Sequence, residues 1–166
     1  MDRLWTPWRF DYISKVDQAS SCVFCSILGE SDDPGNLVLF RSSHVFGIMN
    51  LFPYTSGHLL IVANRHISSL NEASEKELLE FISYGRHCEN ALRQEYHPNG
   101  FNIGFNIGRS AGAGIEHHLH MHVLPRWVGD SNFVSVVGET RILPEELPTT
   151  YRRLRPYFLN PGPNTP

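Results

Sequence analysis

The sequence predicts one α+β domain, in which a single long helix crosses a mostly antiparallel sheet of five strands. The helix is predicted by apolar residues that recur at three- and four-residue spacing between residues 69 and 96. The strands are predicted by short segments that are continuously apolar or alternate apolar with polar residues, with Gly, Pro, Ser or Asn between them. A chain of 166 residues can bury one core of this kind.

The strand segments follow one another in a simple order. Residues 37–50 predict two strands around a polar turn, and residues 58–63 predict a central strand because the run is apolar almost throughout. The segments FNIGFNIG at 101–108 and HLHMHVLP at 118–125 supply the remaining two strands.

The long helix lies between the third and fourth strand segments and ends at the sequence HPNG. Asn71 or Ser74 can cap its N-terminus, because acidic residues follow in the first turn. Its recurring apolar residues are Leu78, Leu79, Ile82, Cys88, Ala91 and Leu92. Residues 1–150 are expected to form the single domain, and the proline-containing residues 151–166 are expected to form a C-terminal tail.

Composition and charge argue against several classes of protein. The 17 Asp and Glu outnumber the 14 Lys and Arg, and the sequence has no basic run, which argues against nucleic-acid binding. The longest apolar stretch is too short to cross a bilayer, and the N-terminal residues lack the apolar core of a signal peptide, so a cytoplasmic protein is expected. The odd number of cysteines (Cys22, Cys25 and Cys88) argues against a disulfide framework.

The segment HLHMHV carries the strongest functional signal. Because alternate residues of a strand share a face, His118, His120 and His122 are predicted on one face, with the apolar residues between them on the other. Three unrelated surface histidines are a poor explanation, since each would need its own partner. A three-histidine metal site and nucleophilic attack on phosphorus by a neutral imidazole both remain open. Successive positions on one strand face diverge, which favours the nucleophile.

A loop of small residues precedes the histidine strand. The sequence GRSAGAG at 108–114 lets backbone N–H groups approach an anion closely, while Arg109 and Ser110 add a charge and a hydroxyl. Many such loops are only turns. Placed beside a face of histidines, this loop predicts a phosphate-binding site.

The segment HLHMHVL resembles the signature of the histidine triad (HIT) superfamily of nucleotide hydrolases and transferases. The segments LWTPWRFDYI, CVFC, IMNLFPYTSGHLLIVANRHISSL, GFNIGFNIGRSAGAG and PRWVGDSNF resemble, in the same order, a bacterial branch that includes diadenosine tetraphosphate (Ap4A) phosphorylases and hydrolases. The resemblance implies a HIT-like fold, with a five-stranded antiparallel sheet, one long helix and a short second helix. In that fold the sheet extends across a dimer.

The resemblance also implies roles for individual residues. His120 would be the nucleophile that takes up a nucleotidyl group, His122 would contact the transferred phosphate, and His118 and His58 would complete the catalytic set. The implied nucleotide-binding residues are Asn50, Asn106, Ser110, Gly112, Ala113, Gly114 and Trp127. Asn50 would reach the ribose and Asn106 the phosphates. Trp127 would stack on a purine, or it is a core or interface tryptophan.

The spacing of Cys22 and Cys25 alone does not distinguish a metal site, a redox pair and coincidence. In one division of the superfamily, which includes galactose-1-phosphate uridylyltransferase, such a pair binds structural zinc together with two histidines. The matching histidines here are His66 and His118. The resemblance therefore implies a closed Cys2His2 zinc site. Two reduced cysteines packed in a loop are the alternative.

The function implied by the resemblance is cleavage of a dinucleoside polyphosphate such as Ap4A through a covalent nucleotidyl-histidine. Ala113-Gly114 stands where phosphorylases of the family carry Gly-Ser, which argues against phosphorolysis and leaves hydrolysis open. The alternatives are a nucleoside phosphoramidate or adenylate hydrolase, a non-catalytic nucleotide sensor and a zinc-stabilised interaction module. The expected partners are a nucleotide substrate and further copies of the chain, as a homodimer or homotetramer, with neither nucleic acid nor membrane.

Overall fold

The computed structural model describes residues 22–130, 137 and 145–159, which contain a five-stranded antiparallel sheet. Its strands are β1 (Val38–Arg41), β2 (Val45–Met49), β3 (Leu59–Ala63), β4 (Gly100–Phe105) and β5 (His120–Arg126). Their order across the sheet is β1-β2-β3-β5-β4, and all four neighbouring pairs are antiparallel. The α+β class and the five-stranded antiparallel sheet predicted from the sequence are confirmed.

Strand β3 occupies the centre of the sheet, as its apolar run predicts. It pairs with β2 on one side and with β5 on the other, and all five of its residues are buried. Both faces of β3 are covered, which is why its sequence does not alternate apolar with polar residues. Its register places Leu60 opposite His122 and Val62 opposite His120, so pairing with the central strand fixes the positions of these histidines in the sheet.

The described residues include four α-helices and two single 3-10 turns. The helices are α1 (Val23–Gly29), α2 (Glu75–Tyr96), α3 (Leu147–Leu154) and α4 (Pro156–Leu159), and the 3-10 turns are Leu70–Glu72 and Arg109–Ala111. Helix α2 is the predicted long helix. None of the helices in this part of the chain has the combination of length and apolar character that a membrane span needs.

Helix α2 begins at Ser74, one of the two predicted caps, with a reciprocal capping box. The Glu77 N–H donates to Ser74 Oγ at 3.3 Å, and the Ser74 N–H donates to Glu77 Oε2 at 2.7 Å. This arrangement satisfies two backbone N–H groups that the first turn of a helix leaves without intrahelical partners.

The apolar residues of α2 lie on two faces of the helix. Phe81, Gly85, Cys88, Ala91 and Leu92 are buried against the sheet. Three further apolar residues are exposed, with exposed fractions of 36% for Leu78, 64% for Leu79 and 66% for Ile82. The sequence pattern placed residues of both faces in one predicted apolar stripe. This prediction was wrong for Leu78, Leu79 and Ile82, which are exposed.

Two hydrophobic clusters cover the two faces of the sheet. The larger lies between α2 and the sheet and includes the three apolar residues of the histidine strand, Leu119, Met121 and Val123. The smaller lies on the opposite face and joins α1 to the sheet. Its buried members are Phe24, Val38, Phe46, Ile48, Leu60 and Val62. The histidine face of β5 therefore points to the side of the sheet that α1 occupies.

The C-terminal helices pack on the domain. Helix α3 spans residue 150, the predicted boundary between domain and tail, and its Tyr151 and Leu154 are buried in the larger cluster. The Tyr151 hydroxyl donates to the Val38 carbonyl at 3.1 Å, and the Arg155 guanidinium donates to the Leu39 carbonyl. Residues 160–166 of the predicted tail, and residues 1–21, 131–136 and 138–144 of the predicted domain, lie outside the described residues.

Candidate functional site

The three alternating histidines share one buried face. His118, His120 and His122 are 1%, 5% and 8% exposed, and their rings lie on the side of the sheet that carries Phe24. The apolar residues between them belong to the cluster under α2 on the other side. The alternation predicted from the sequence is confirmed. Because these imidazoles are buried, their hydrogen bonds indicate which nitrogen of each ring carries the proton.

His118 presents the lone pair of its Nδ1 atom to the two cysteines. Its Nε2 lies 2.7 Å from the Ala63 carbonyl, which accepts hydrogen bonds only, so Nε2 carries the proton. Nδ1 lies 3.2 Å from Cys22 Sγ and 3.7 Å from Cys25 Sγ. Burial lowers the pKa of His118, which keeps the ring neutral. This ring has the protonation state of a metal ligand whose other nitrogen is held by a backbone carbonyl.

Cys22, Cys25, His66 and His118 form one compact set of potential metal ligands. Their ligand atoms all lie within 4.8 Å of one another, and His66 Nδ1 is 3.2 Å from Cys25 Sγ. Zinc–sulfur and zinc–nitrogen bond lengths imply ligand separations of roughly 3.4 to 3.8 Å in a tetrahedral site, which is close to these distances. Partial desolvation and the hydrogen bond with Cys22 raise the pKa of the Cys25 thiol, and a bound cation would lower it again. The set therefore fits Zn²⁺.

The loop that carries His66 is attached to the start of α2. The Arg65 side chain donates to Glu77 through Nε at 2.8 Å and through Nη2 at 2.7 Å. The Arg65 guanidinium and the Ser74 groups hold the pKa of the buried Glu77 carboxyl at about 2. Glu77 thus caps α2 and at the same time anchors the residue that precedes His66.

His120 presents an unprotonated Nε2. Its Nδ1 lies 2.7 Å from the His118 carbonyl and must carry the proton of the neutral ring. Burial lowers the pKa of His120, and this effect is larger than that of the hydrogen bond to the His118 carbonyl, which raises the pKa. A neutral imidazole whose Nδ1–H is held by a fixed acceptor is suited to nucleophilic attack through Nε2.

His122 presents an N–H group beside His120. The Tyr54 backbone N–H donates to His58 Nδ1 at 3.1 Å, so the proton of the neutral His58 ring is on Nε2. His58 Nε2 lies 2.9 Å from His122 Nδ1, which therefore accepts, and this leaves the proton of His122 on Nε2. Burial and the neighbouring His120 ring lower the pKa of His122 to about 4. The centroids of the His120 and His122 rings are 5.1 Å apart, so a lone pair and a donor lie side by side.

Asn50 and Asn106 flank the histidines on neighbouring strands. Asn50 follows β2, and the nitrogen of its side-chain amide lies 3.2 Å from His58 Nδ1 and 3.5 Å from His58 Nε2. Strand β4 pairs Gly104 with His122 and Phe105 with Met121, and Asn106 is the first residue after this strand. The structure therefore brings Asn50 to the histidine face and places Asn106 at the end of the strand that neighbours the histidines.

The glycine loop connects Asn106 to the histidine strand. Residues Arg109–Ala111 form a 3-10 turn, and Gly112 ends it in the left-handed region at φ 86°, where glycine is favoured. Ile115, which follows Ser110–Gly114, packs against the cluster around Phe24. The loop thus returns to the face of the sheet that carries the histidines.

Comparison with known proteins agrees with this geometry. The family model described as HIT domain matches residues 33–128. The chain belongs to the HIT family. It is 38% identical over 162 residues to a protein of Mycobacterium tuberculosis named AP-4-A phosphorylase, with 93% of this chain and 83% of that relative covered. It is 32% identical over 120 residues to an uncharacterised HIT-like protein of Methanocaldococcus jannaschii, with 72% and 89% covered.

Solved HIT structures share the fold. A zinc-bound histidine triad family protein from Mycobacterium smegmatis superimposes with a TM-score of 0.68 at 28% identity, with 83% of this chain and 93% of that chain covered. A hypothetical histidine triad nucleotide-binding protein from Sulfolobus tokodaii gives a TM-score of 0.66 at 26% identity, with 82% and 91% covered. The resemblance inferred from the sequence and the HIT-like fold that it implies are confirmed.

Trp127, which the HIT resemblance assigned to nucleotide binding, lies apart from the histidines. The backbone N–H of Trp127 donates to Asp130 Oδ2 at 3.3 Å, and Arg126 forms an ion pair with the same carboxylate at 2.6 Å. It follows His120 by seven residues, which is roughly 23 Å along an extended strand. The structure does not bring Trp127 together with the triad, and its assignment stays a prediction.

Two residues of this HIT site carry no motif that sequence reasoning could use. Phe24 lies between the cysteines and contacts the His118 and His120 rings at centroid distances of 5.4 Å. Tyr54 donates its backbone N–H to His58 Nδ1, and this bond determines the protonation of the His58–His122 pair. Its ring also packs against the His58 and His122 rings, at centroid distances of 4.8 and 6.1 Å. For Phe24, the only signal in the sequence is an apolar residue placed between two cysteines.

Proposed function

We propose that this HIT protein cleaves dinucleoside polyphosphates such as Ap4A by transferring a nucleotidyl group to His120 Nε2. The observation that carries the proposal is the pair formed by the unprotonated Nε2 of His120 and the protonated Nε2 of His122 on the same face. A nucleophile and a hydrogen-bond donor at this spacing can attack a phosphorus atom and neutralise charge on its oxygens. The M. tuberculosis relative named AP-4-A phosphorylase supports this class of substrate.

The reaction proceeds in two displacements. His120 Nε2 attacks the α-phosphorus, and the bond from that phosphorus to the bridging oxygen breaks, so that the electron pair leaves with the second nucleotide. The acceptor oxygen of water or inorganic phosphate then attacks the nucleotidyl-histidine, its proton passes to solvent, and the electron pair of the P–N bond returns to Nε2. Asn106 and the loop of Ser110, Gly112, Ala113 and Gly114 would donate to the phosphate oxygens, and Asn50 would bind the ribose.

The acceptor is the part of the function that a product analysis decides. We expect the protein to convert Ap4A to ATP and a second nucleotide, which is ADP if phosphate attacks and AMP if water attacks. Incubation with and without inorganic phosphate, followed by separation of ADP from AMP, measures this directly. Ap4A that remains intact while phosphoramidates or adenylates are hydrolysed would contradict the proposed substrate. Saturable nucleotide binding without turnover would make the protein a sensor.

The Cys22, Cys25, His66 and His118 set would hold a structural zinc ion. A closed site of two thiolates and two imidazoles leaves no open position for substrate, so a bound ion would cross-link α1, the His66 loop and the start of the histidine strand. The M. smegmatis relative is a zinc-bound histidine triad family protein, which supports the assignment. Paired thiolates of this kind suit a reducing compartment, and we infer a cytoplasmic location on that ground.

The same proposal includes a homodimer formed through β4 and α2. Strand β4 is one edge of the sheet, and no strand pairs with its outer side in the described residues. The other edge, β1, is covered by bonds from α3 and the adjoining Arg155 to its carbonyls. Ile103 on β4 and Leu79 and Ile82 on α2 are exposed, and Phe81 packs on Phe105 where the two elements meet. An open edge next to exposed apolar side chains is typical of sheet continuation between copies.

The substitution Ile82→Glu is expected to convert the dimer to a monomer, because it places a charge in an apolar contact between two copies. Leu159→Glu is the matched control, since Leu159 on α4 is exposed to a similar extent, 59% against 66%. Sedimentation equilibrium of both variants and of the unmodified protein measures the mass. An unmodified chain that sediments as a monomer, or an Ile82→Glu variant that keeps the mass of the unmodified protein, would refute this interface.

A further inference from the structure

Phe24 connects the metal site to the nucleophile. It lies between the two cysteine ligands in the sequence and is 3% exposed. Its ring is edge-on to the His118 ring, with an interplanar angle of 76°, and tilted by 56° against the His120 ring. The same ring therefore contacts both a potential metal ligand and the proposed nucleophile.

Helix α1, which carries Phe24, is held differently at its two ends. At its C-terminal end the Arg41 guanidinium donates to the carbonyls of Ile27, Leu28 and Glu30 at 3.1, 3.0 and 2.9 Å. At its N-terminal end Cys22 is the cap residue and makes no side-chain capping hydrogen bond. The cysteine contacts to His66 and His118 attach this end of the helix, and thiols are weak hydrogen-bonding groups.

His118 provides a second connection. Its imidazole belongs to the metal site, and its backbone carbonyl accepts the Nδ1–H of His120 at 2.7 Å. The direction of that carbonyl depends on the backbone of His118, which a metal ion bound to the His118 ring would restrain. Both connections lead from the same set of ligands to the same imidazole.

We propose that the metal site positions the nucleophile, and that Phe24 is the positioning residue that links them. This inference rests on the role proposed above for His120. The terminal torsion of a histidine side chain is broad and nearly two-fold, so a small loss of restraint lets the ring turn. The turned ring has Cδ2 in the place of Nδ1 and Cε1 in the place of Nε2, and it loses the hydrogen bond to the His118 carbonyl. The packed Phe24 ring and the fixed His118 carbonyl disfavour the turned orientation. The metal therefore selects the ring orientation in which the Nε2 lone pair faces the substrate.

The experiment compares the protonation state of His120 in four forms of the full chain. Long-range nitrogen–proton correlation spectra distinguish Nδ1–H from Nε2–H imidazoles and need no nucleotide. The forms are the zinc-loaded unmodified protein, His66→Ala, Phe24→Leu and the control Phe81→Leu. His66 is an exposed ligand, so its removal disturbs little besides the metal. Phe81 is 1% exposed and its ring packs on Phe105 in the other cluster, so Phe81→Leu removes an equally buried ring from the opposite face of the sheet.

In the unmodified protein we expect His120 to be an Nδ1–H tautomer. In His66→Ala, and in zinc-loaded Phe24→Leu, we expect a mixture of tautomers and a kcat for nucleotide cleavage that is roughly 10- to 100-fold lower, with KM nearly unchanged. Phe81→Leu should lose stability but keep the tautomer and kcat.

Two results would overturn the proposal. One is an unchanged His120 spectrum in metal-free His66→Ala. If Phe24→Leu does not fold, this comparison by itself tests the proposal. The other is a Phe24→Leu variant that raises KM at constant kcat, which would make Phe24 a wall of the nucleotide site. An unmodified protein without turnover, whose His120 spectrum still responds to loss of zinc, would contradict the proposed function but not this coupling.

Discussion

Replacement of His120 by alanine is expected to lower turnover of Ap4A by at least ~10⁴-fold while the variant folds and binds nucleotide. The loss is this large because the two-step route has no alternative nucleophile in the histidine cluster. The proton of His122 is on Nε2, and His118 directs its lone pair at the cysteines. Alanine leaves a small cavity beside Phe24, which costs stability but does not remove a charge, since the His120 ring is neutral.

His117→Ala is the matched control for this prediction. His117 lies in the same segment, but its side chain is 78% exposed and contacts Glu116 at 3.2 Å. We expect His117→Ala to retain near-normal turnover. Intact-mass spectrometry after rapid acid-free quenching should detect one nucleotidyl adduct on the unmodified protein and on His117→Ala, and none on His120→Ala. An adduct that persists in His120→Ala would show that another residue is the nucleophile.

The parts of the site that depend on strand periodicity could be predicted from the sequence. The alternation of His118, His120 and His122 with apolar residues requires one buried face for each set, and the structure has this arrangement. The central position of β3 also follows from its uninterrupted apolar run. The four candidate ligands of the proposed metal site, by contrast, were implied by family resemblance. Spacing alone could not bring them together, since Cys22 and His118 are 96 residues apart in the sequence.

The protonation of the rings could not be predicted, because it depends on backbone atoms that every residue carries. The carbonyls of Ala63 and His118 and the N–H of Tyr54 determine where each proton resides. The two faces of α2 could not be separated either. Helical periodicity does not distinguish apolar residues that are buried against the chain's own sheet from those exposed on the outer side of the helix, and Leu79 and Ile82 belong to the exposed group.

Removal of the metal is expected to produce the largest loss of stability. We expect the purified chain to hold about one equivalent of zinc, and Cys25→Ser to lose it and to lower Tm by roughly 10 °C. His118→Ala should lower Tm at least as much, because it also leaves the buried Ala63 carbonyl without its donor. Cys25 is exposed, so its substitution removes a ligand with little change in packing. Differential scanning calorimetry with and without added zinc measures the effect.

Cys88→Ala separates loss of the metal from loss of a buried sulfur. Cys88 is 1% exposed in the cluster under α2, and burial alone raises the pKa of its thiol, so it is inert toward a cation. This variant should keep its zinc. Added zinc or chelator should shift its Tm by the same amount as in the unmodified protein. Cys25→Ser should instead show a Tm that neither zinc nor chelator affects. Less than a tenth of an equivalent of zinc in protein never exposed to chelator, together with an unchanged Tm in His118→Ala, would rule the site out. In that case Cys22 and Cys25 would be two reduced thiols beside His66 and His118.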